Sequence, residues 1–147
     1  MGVNTFTDLD LSEQRLGAIE ALGWTVPTPI QAEAIPPGLA GTDVVGIAQT
    51  GTGKTGAFMV PALERLRAGA GLQVLVLCPT RELAQQVADD TASLAMGTNI
   101  RTAAIFGGVG YGPQIEALES GFEVIVATPG RFIDHAHSKR VDLSSVN

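Results

Sequence analysis

Ala48-Gln49-Thr50-Gly51-Thr52-Gly53-Lys54-Thr55 is the stretch of this sequence whose residue types and spacing speak most directly of chemistry. It fits the phosphate-binding pattern G-x-x-x-x-G-K-[ST], with alanine in place of the first glycine. Glycines let backbone N–H groups turn inward and approach phosphates, and the helix that follows adds its positive N-terminus. Lys54 would reach the outer phosphates of a nucleotide, and the Thr55 hydroxyl would complete a Mg²⁺ shell. Only two lysines occur, Lys54 and Lys139, so a lysine at this position stands out. The pattern has meaning only between a strand and a helix. Both are expected: Asp43–Ala48 is a short apolar run, and a helical stretch runs from about Gly53 to Arg67.

The rest of the chain alternates in the same way. Asp10 with Glu13 suggests a capping box opening a helix that Gly23 closes, with Leu16, Ile19 and Leu22 on one apolar face. A second helix should start at Thr28, with Pro29 in its first position and Gln31 three residues after the cap. Leu72–Cys78 reads as a strand buried on both faces and Glu82–Leu94 as a helix. Arg101–Phe106 is the next strand, then a short helix over Pro113–Leu118 that stops at Gly121. Phe122–Ala127 is a fourth strand, and Pro129 to about His137 a last helix. Strands alternating with helices predict an α/β fold: a parallel sheet covered on both faces, in three layers.

Composition narrows the class. The 147 residues make one domain, and 45% hydrophobic with 16% charged residues is globular rather than disordered usage. No run approaches the length of a membrane span, and the N-terminus lacks a secretion signal, so no membrane partner and a cytoplasmic location are expected. Nine basic against 15 acidic residues argue against a bulk electrostatic grip on nucleic acid, though a few placed arginines could hold a phosphate backbone. The single cysteine, Cys78, excludes an internal disulfide and a multi-cysteine metal site, and reads as a small core residue. His135 and His137 read as solvated.

Further motifs stand at intervals along the chain. Upstream are Phe6 and Gly23-Trp24-Thr25-Val26-Pro27-Thr28-Pro29-Ile30-Gln31; downstream are Pro79-Thr80-Arg81-Glu82-Leu83-Ala84-Gln85-Gln86, Gly107-Gly108 and Thr128-Pro129-Gly130-Arg131. With the Gly-Lys-Thr loop, these resemble the Q motif (6–31) and motifs I (48–55), Ia (79–83), GG (107–108) and Ib (128–131) of DEAD-box ATP-dependent RNA helicases, in that family's order and spacing. The resemblance covers Phe6 to about Val146. It implies a RecA-like P-loop NTPase lobe, with ATP and Mg²⁺ as cofactors and single-stranded RNA or an RNA duplex as partner, held by its phosphate backbone.

The resemblance also implies roles for residues. Trp24 would stack on the base and Gln31 would pair with the adenine edge, while Phe6 would simply pack under the Trp24 loop, its contact indirect. A carboxamide offers the donor and acceptor that adenine N6 and N7 require; Gln31 could equally be one half of the Thr28–Gln31 capping box. Thr50, Gly51, Thr52 and Gly53 would line the phosphates, with Lys54 and Thr55 serving catalysis and Thr55 reaching Mg²⁺ through the nucleotide. Pro79, Thr80 and Arg81, Gly107 and Gly108, and Thr128, Pro129, Gly130 and Arg131 would hold RNA. Alone, Thr80 and Glu82 would read as ordinary capping residues. All three groups follow predicted strands, where open α/β sheets bind ligands. Backbone and helix-terminus contacts would let an acidic domain hold RNA without reading its sequence.

The family's Asp-Glu-Ala-Asp motif, which holds Mg²⁺ and positions the attacking water, has no match. Asp89-Asp90 lies inside a predicted helix. The expectation is therefore an incomplete first lobe, cut before that motif and lacking the second lobe, that binds nucleotide but does not unwind RNA. The alternative is a non-catalytic nucleotide-binding or folding fragment. The resemblance further implies that Val44–Ala48 lacks its usual strand neighbours, so the sheet is expected to close either by rearranging its strands or by self-association through unpaired edges.

Overall fold

Three short runs of β-branched and apolar residues form strands, β1 (Val74–Leu77), β2 (Thr102–Ile105) and β3 (Val124–Ala127). The computed structural model describes residues 2–147. Its helices are α1 (Glu13–Ala21), α2 (Pro29–Leu39), α3 (Lys54–Glu64), α4 (Arg81–Leu94), α5 (Tyr111–Ser120) and α6 (Pro129–His137), preceded by one 3₁₀ turn at Phe6–Asp8. The fold is α/β with a parallel sheet, as the alternation predicted. Its contacts divide it into two units, residues 2–65 with Ser93–Thr98, and Leu66–Ala92 with Asn99–Asn147. No helix among the described residues is long and apolar enough to cross a membrane.

The second unit holds the sheet, in the order β1-β3-β2. β3 is central and pairs in parallel with both neighbours, Leu75 and Ala103 standing beside Ile125, and Leu77 and Ile105 beside Ala127. Alternation sends Ile125 and Ala127 to one face, where they join Leu72, Ile105 and Phe132 of α6, with Leu75 and Leu118 of α5 against them. Val124 and Val126 face the other way and are fully buried. A strand buried on both faces belongs in the middle of a parallel sheet. β1 lies at an edge, which corrects the expectation for Leu72–Cys78: its residues are half-buried and Leu77 is 54% exposed.

Asp43–Ala48 corrects a second expectation, because it joins no sheet among the described residues. Val45 and Ile47 are each 92% exposed. An apolar run becomes a strand only where another backbone takes its N–H and C=O groups, and here the three paired strands are β1, β2 and β3.

Glu123 ties the entry side of the sheet together. It is 2% exposed. Its carboxylate accepts the Gly69 N–H at 2.9 Å and the Arg101 N–H at 2.8 Å, with the Arg101 guanidinium 3.8 Å away. Burial raises its pKa, but those backbone N–H groups and Arg101 outweigh burial and bring it below the ordinary glutamate value. A depressed carboxylate pKa stabilises the fold above the unfolded-state value, and that stability is lost as pH falls through the folded one. Glu123→Gln is expected to cost about 2 kcal/mol at neutral pH, since one oxygen becomes an amide facing an N–H donor. In urea unfolding, the gap between wild type and variant should narrow on acidification below the ordinary glutamate range. A gap that stayed constant would refute the ionised, hydrogen-bonded carboxylate.

Candidate functional site

In the first unit, two capped helices and a glycine loop converge. Thr28 caps α2: its N–H donates to Gln31 Oε1 at 3.1 Å, and its hydroxyl accepts from the Gln31 N–H. The capping-box reading of Gln31 therefore holds in the structure. The same side chain, only 3% exposed, also donates from Nε2 to the Gly53 carbonyl at 3.2 Å, at the mouth of the Gly-Lys-Thr loop. An amide nitrogen has two hydrogens and its oxygen two lone pairs, so a donor and an acceptor remain for a ligand edge.

The loop is shaped by glycine. Gly51 and Gly53 have φ of +81° and +79°, the left-handed region that side chains disfavour. Gly53 is the N-cap of α3, its carbonyl taking the Ala57 N–H, and the Thr52 hydroxyl donates to the Gln49 carbonyl across the turn. Lys54 opens α3 with an exposed side chain, Thr55 and Thr52 are half-buried, and Thr50 is exposed. A helix N-terminus presenting unpaired N–H groups beside an exposed ammonium is a site for anions.

Gly56 was not singled out in the sequence, and it matters here. A Cβ at Gly56 would stand 2.8 Å from Trp24 Cζ3 and from Gln31 Nε2; at Gly53 it would collide with the Gln31 amide. Glycine at both places is what lets Trp24 and Gln31 close on the loop. Trp24 stacks on buried Phe6 with ring centroids 6.3 Å apart, so Phe6 lies under Trp24 as expected.

α1 is begun by Ser12 rather than Asp10, a correction to the sequence reading. The Ser12 hydroxyl accepts the Arg15 N–H, its backbone is extended, and Asp10 lies too far upstream to reach the first turn. Gly23 does close the helix, at φ +76°.

In the second unit, the three groups expected to hold RNA follow the three strands. Pro79, Thr80 and Arg81 come after β1, Gly107 and Gly108 after β2, and Thr128, Pro129, Gly130 and Arg131 after β3, all at the carboxyl edge of one sheet. The Thr80 hydroxyl accepts the Leu83 N–H at 3.2 Å, the ordinary capping role read for it, while Glu82 pairs with Arg81 at 3.6 Å. Gly108 has φ +84°, and a Cβ on it would stand 2.7 Å from Arg81 Nη1. The structure thus brings the Gly-Gly loop against Arg81. Gly107 and Gly130 face open space, with no steric demand for glycine. A cleft of about 590 Å³ opens beside Arg81, lined also by Gln85, Asp89 and Phe106.

Arg131 is held more tightly than its position in the motif suggests. Its Nη1 donates to the Val109 carbonyl at 2.8 Å and to Gln114 Oε1 at 3.1 Å, and its guanidinium lies 3.9 Å over the Tyr111 ring. Tyr111 donates to Asp134 at 2.7 Å. His135 is fully buried, not solvated as expected, because its ring bonds Gln114 at 3.0 Å and Arg140 at 3.3 Å. Burial, then Arg140 and Arg131, push its pKa below the usual histidine value. Cys78 is buried as read, and burial pushes its thiol up, which keeps it unreactive.

The comparisons with known proteins concern the family and the fold. Residues 28–147 match the family model described as DEAD/DEAH box helicase. The sequence is 44% identical over 144 residues to the DEAD-box ATP-dependent RNA helicase CshA of Bacillus licheniformis, covering 97% of this chain and 30% of that protein. The fold is similar to the crystal structure of a DEAD box protein from the hyperthermophile Methanococcus jannaschii, with a TM-score of 0.95 and 39% identity, over 100% of this chain and 40% of that one. The chain thus spans about a third of the length of the relatives it matches.

Proposed function

Since the chain belongs to the DEAD/DEAH box helicase family, we propose that it carries the ATP- and RNA-binding surfaces of an ATP-dependent RNA helicase that remodels or unwinds RNA duplexes. The observation that carries this reading is the Gln31 carboxamide, locked by the Thr28 cap and bonded to Gly53 at the phosphate loop. A rigid amide with a spare donor and acceptor beside a phosphate cradle suits adenine. Trp24 supplies an aromatic face for the base. Backbone N–H groups of Gly51 to Gly53 and the Lys54 ammonium would neutralise the phosphates, and the Thr55 hydroxyl would face Mg²⁺. When bound, the metal would offset phosphate charge. The loops after β1, β2 and β3 would hold RNA by its backbone, with Arg81 and Arg131 as the cations.

For the chain by itself we propose binding without hydrolysis or unwinding. Asp89 and Asp90 lie within α4 rather than at a strand end, and the sequence contains no Asp-Glu pair.

Trp24, the only tryptophan, is a built-in reporter. Titration with ATP or ADP should change its emission, while GTP should do so only at much higher concentration. Gln31→Ala should weaken ATP by about tenfold and leave GTP unaffected, the worth of one or two hydrogen bonds. Identical responses to ATP and GTP in the wild type would remove the adenine assignment.

A further inference from the structure

We propose that Gln114 is a positioning residue for RNA binding, its carboxamide setting the Arg131 guanidinium and the loop after β2 in one geometry. The inference rests on the reading of Arg131 as an RNA-backbone contact. Gln114 lies on α5, outside every motif, and is 6% exposed. Its Nε2 donates to the Phe106 carbonyl at 2.8 Å, at the root of the Gly107-Gly108 turn. Its Oε1 accepts from Arg131 Nη1 at 3.1 Å and bonds His135 Nε2 at 3.0 Å.

The hydrogens in this network can be placed in only one way. Arginine is solely a donor. Arg131 therefore fixes the amide with its oxygen toward α6, and Arg140 at 3.3 Å fixes His135 Nδ1 as an acceptor. His135 is then neutral with its proton on Nε2, which donates to Gln114. Both lone pairs of Gln114 Oε1 are taken, and its amide nitrogen points at the other loop.

The consequence for Arg131 is specific. Both Nη1 hydrogens go to protein acceptors, Val109 and Gln114, and the guanidinium plane rests on Tyr111. The other three N–H donors, on Nε and Nη2, are held in one orientation by these contacts and by the Tyr111 side chain, and that orientation is what a phosphate would meet. Without Gln114 the guanidinium would keep Val109 and Tyr111 but lose the bond that sets its tilt. The Phe106 carbonyl would lose its donor at the same time, so one side chain holds two of the three RNA-directed loops in register.

Gln114→Leu, near-isosteric and without hydrogen bonds, tests this in two ways. The Arg131 guanidinium N–H resonances should be resolved by NMR in the wild type and average toward a free arginine pattern in the variant. Unchanged resonances would overturn the inference whatever RNA does. Labelled oligouridine should bind Gln114→Leu about 5- to 10-fold more weakly in fluorescence anisotropy, and Arg131→Ala by a similar factor of about 10. The double variant should be no weaker than Arg131→Ala alone, because Gln114 works through Arg131. Normal binding by Gln114→Leu with weak binding by Arg131→Ala would sink the role of Gln114 and leave the Arg131 reading intact. Normal binding by Arg131→Ala would sink both. Additive losses in the double variant would make Gln114 an independent or merely structural residue. Should Gln114→Leu melt well below the wild type, Gln114→Glu keeps the acceptors for Arg131 and His135 but turns a carboxylate oxygen toward the Phe106 carbonyl, releasing that loop while keeping the bond to Arg131. It should then retain the resolved Arg131 resonances, and their loss would count against the proposal.

Discussion

Lys54→Ala is expected to weaken ATP binding by about 10- to 100-fold, the worth of a charge-assisted contact to phosphate at 1.5–3 kcal/mol. The position of the lysine sets this effect. It is the first residue of α3, directly after a left-handed Gly53 cap, with an exposed side chain. Negative charge is favoured at this helix end by the dipole and the free N–H groups, but those alone give a modest, salt-screened gain. The ammonium adds a full charge where the phosphates would lie. The substitution should not harm folding, because the cap is backbone and alanine is the better helix former. Thermal unfolding should therefore stay within about 2 °C of the wild type, since exposed changes away from special features cost little. Lys139→Ala, at the only other lysine, is the matched control and should bind normally. Equal ATP affinity in Lys54→Ala and wild type, by Trp24 emission or calorimetry, would show that the loop does not hold phosphates.

The largest expected effect on stability lies elsewhere in the same unit. Arg15 is 2% exposed, donates from Nε to Glu64 at 3.0 Å and from Nη1 to the Leu94 carbonyl. Glu64 also accepts the Ser12 N–H at 3.0 Å and the Ser12 hydroxyl at 2.9 Å, so the carboxylate sits at the N-terminus of α1. Burial lowers the Arg15 pKa and Glu64 opposes it, leaving an arginine that is charged throughout the working range. Arg15→Ala strands the Glu64 carboxylate and the Leu94 carbonyl together. Removing one partner of a buried pair costs about 3–5 kcal/mol. That corresponds to a fall in Tm of roughly 6–20 °C for a chain near 150 residues. Ser12→Ala removes a cap and one of the hydroxyl's bonds and should cost about 1 kcal/mol. An Arg15→Ala variant that melts within a degree or two of wild type would mean that the pair is solvated in solution.

The local signals served well wherever the physics is local. The Thr28–Gln31 capping box, Pro29 in the first helical position, the Gly23 and Gly121 stops and the start of α6 at Pro129 were all legible, because a cap or a turn involves residues three or four apart. Asp10 was a near miss of the same kind: Ser12, two residues on, is an equally good cap, and only backbone geometry separates them. What failed were statements about neighbours far along the chain. Val44–Ala48 has the composition of a strand but pairs with no strand among the described residues, and β1 has the composition of a central strand but an edge position. His135 reads as a solvated surface residue, and it is buried because Gln114, from another element, takes its hydrogen bond.

The sequence by itself determined the α/β alternation, the phosphate loop, the family and the chain positions of the residues that would meet nucleotide and RNA. These rest on residue type and spacing along the chain, which the polymer carries unfolded. Tertiary structure alone decided the strand order β1-β3-β2, the glycine clearances that bring Trp24 and Gln31 onto the loop, and the hydrogen bonds that tie Gln114 to Arg131. Those depend on which groups meet across dozens of intervening residues, and a buried polar group is stable only once its partner has arrived.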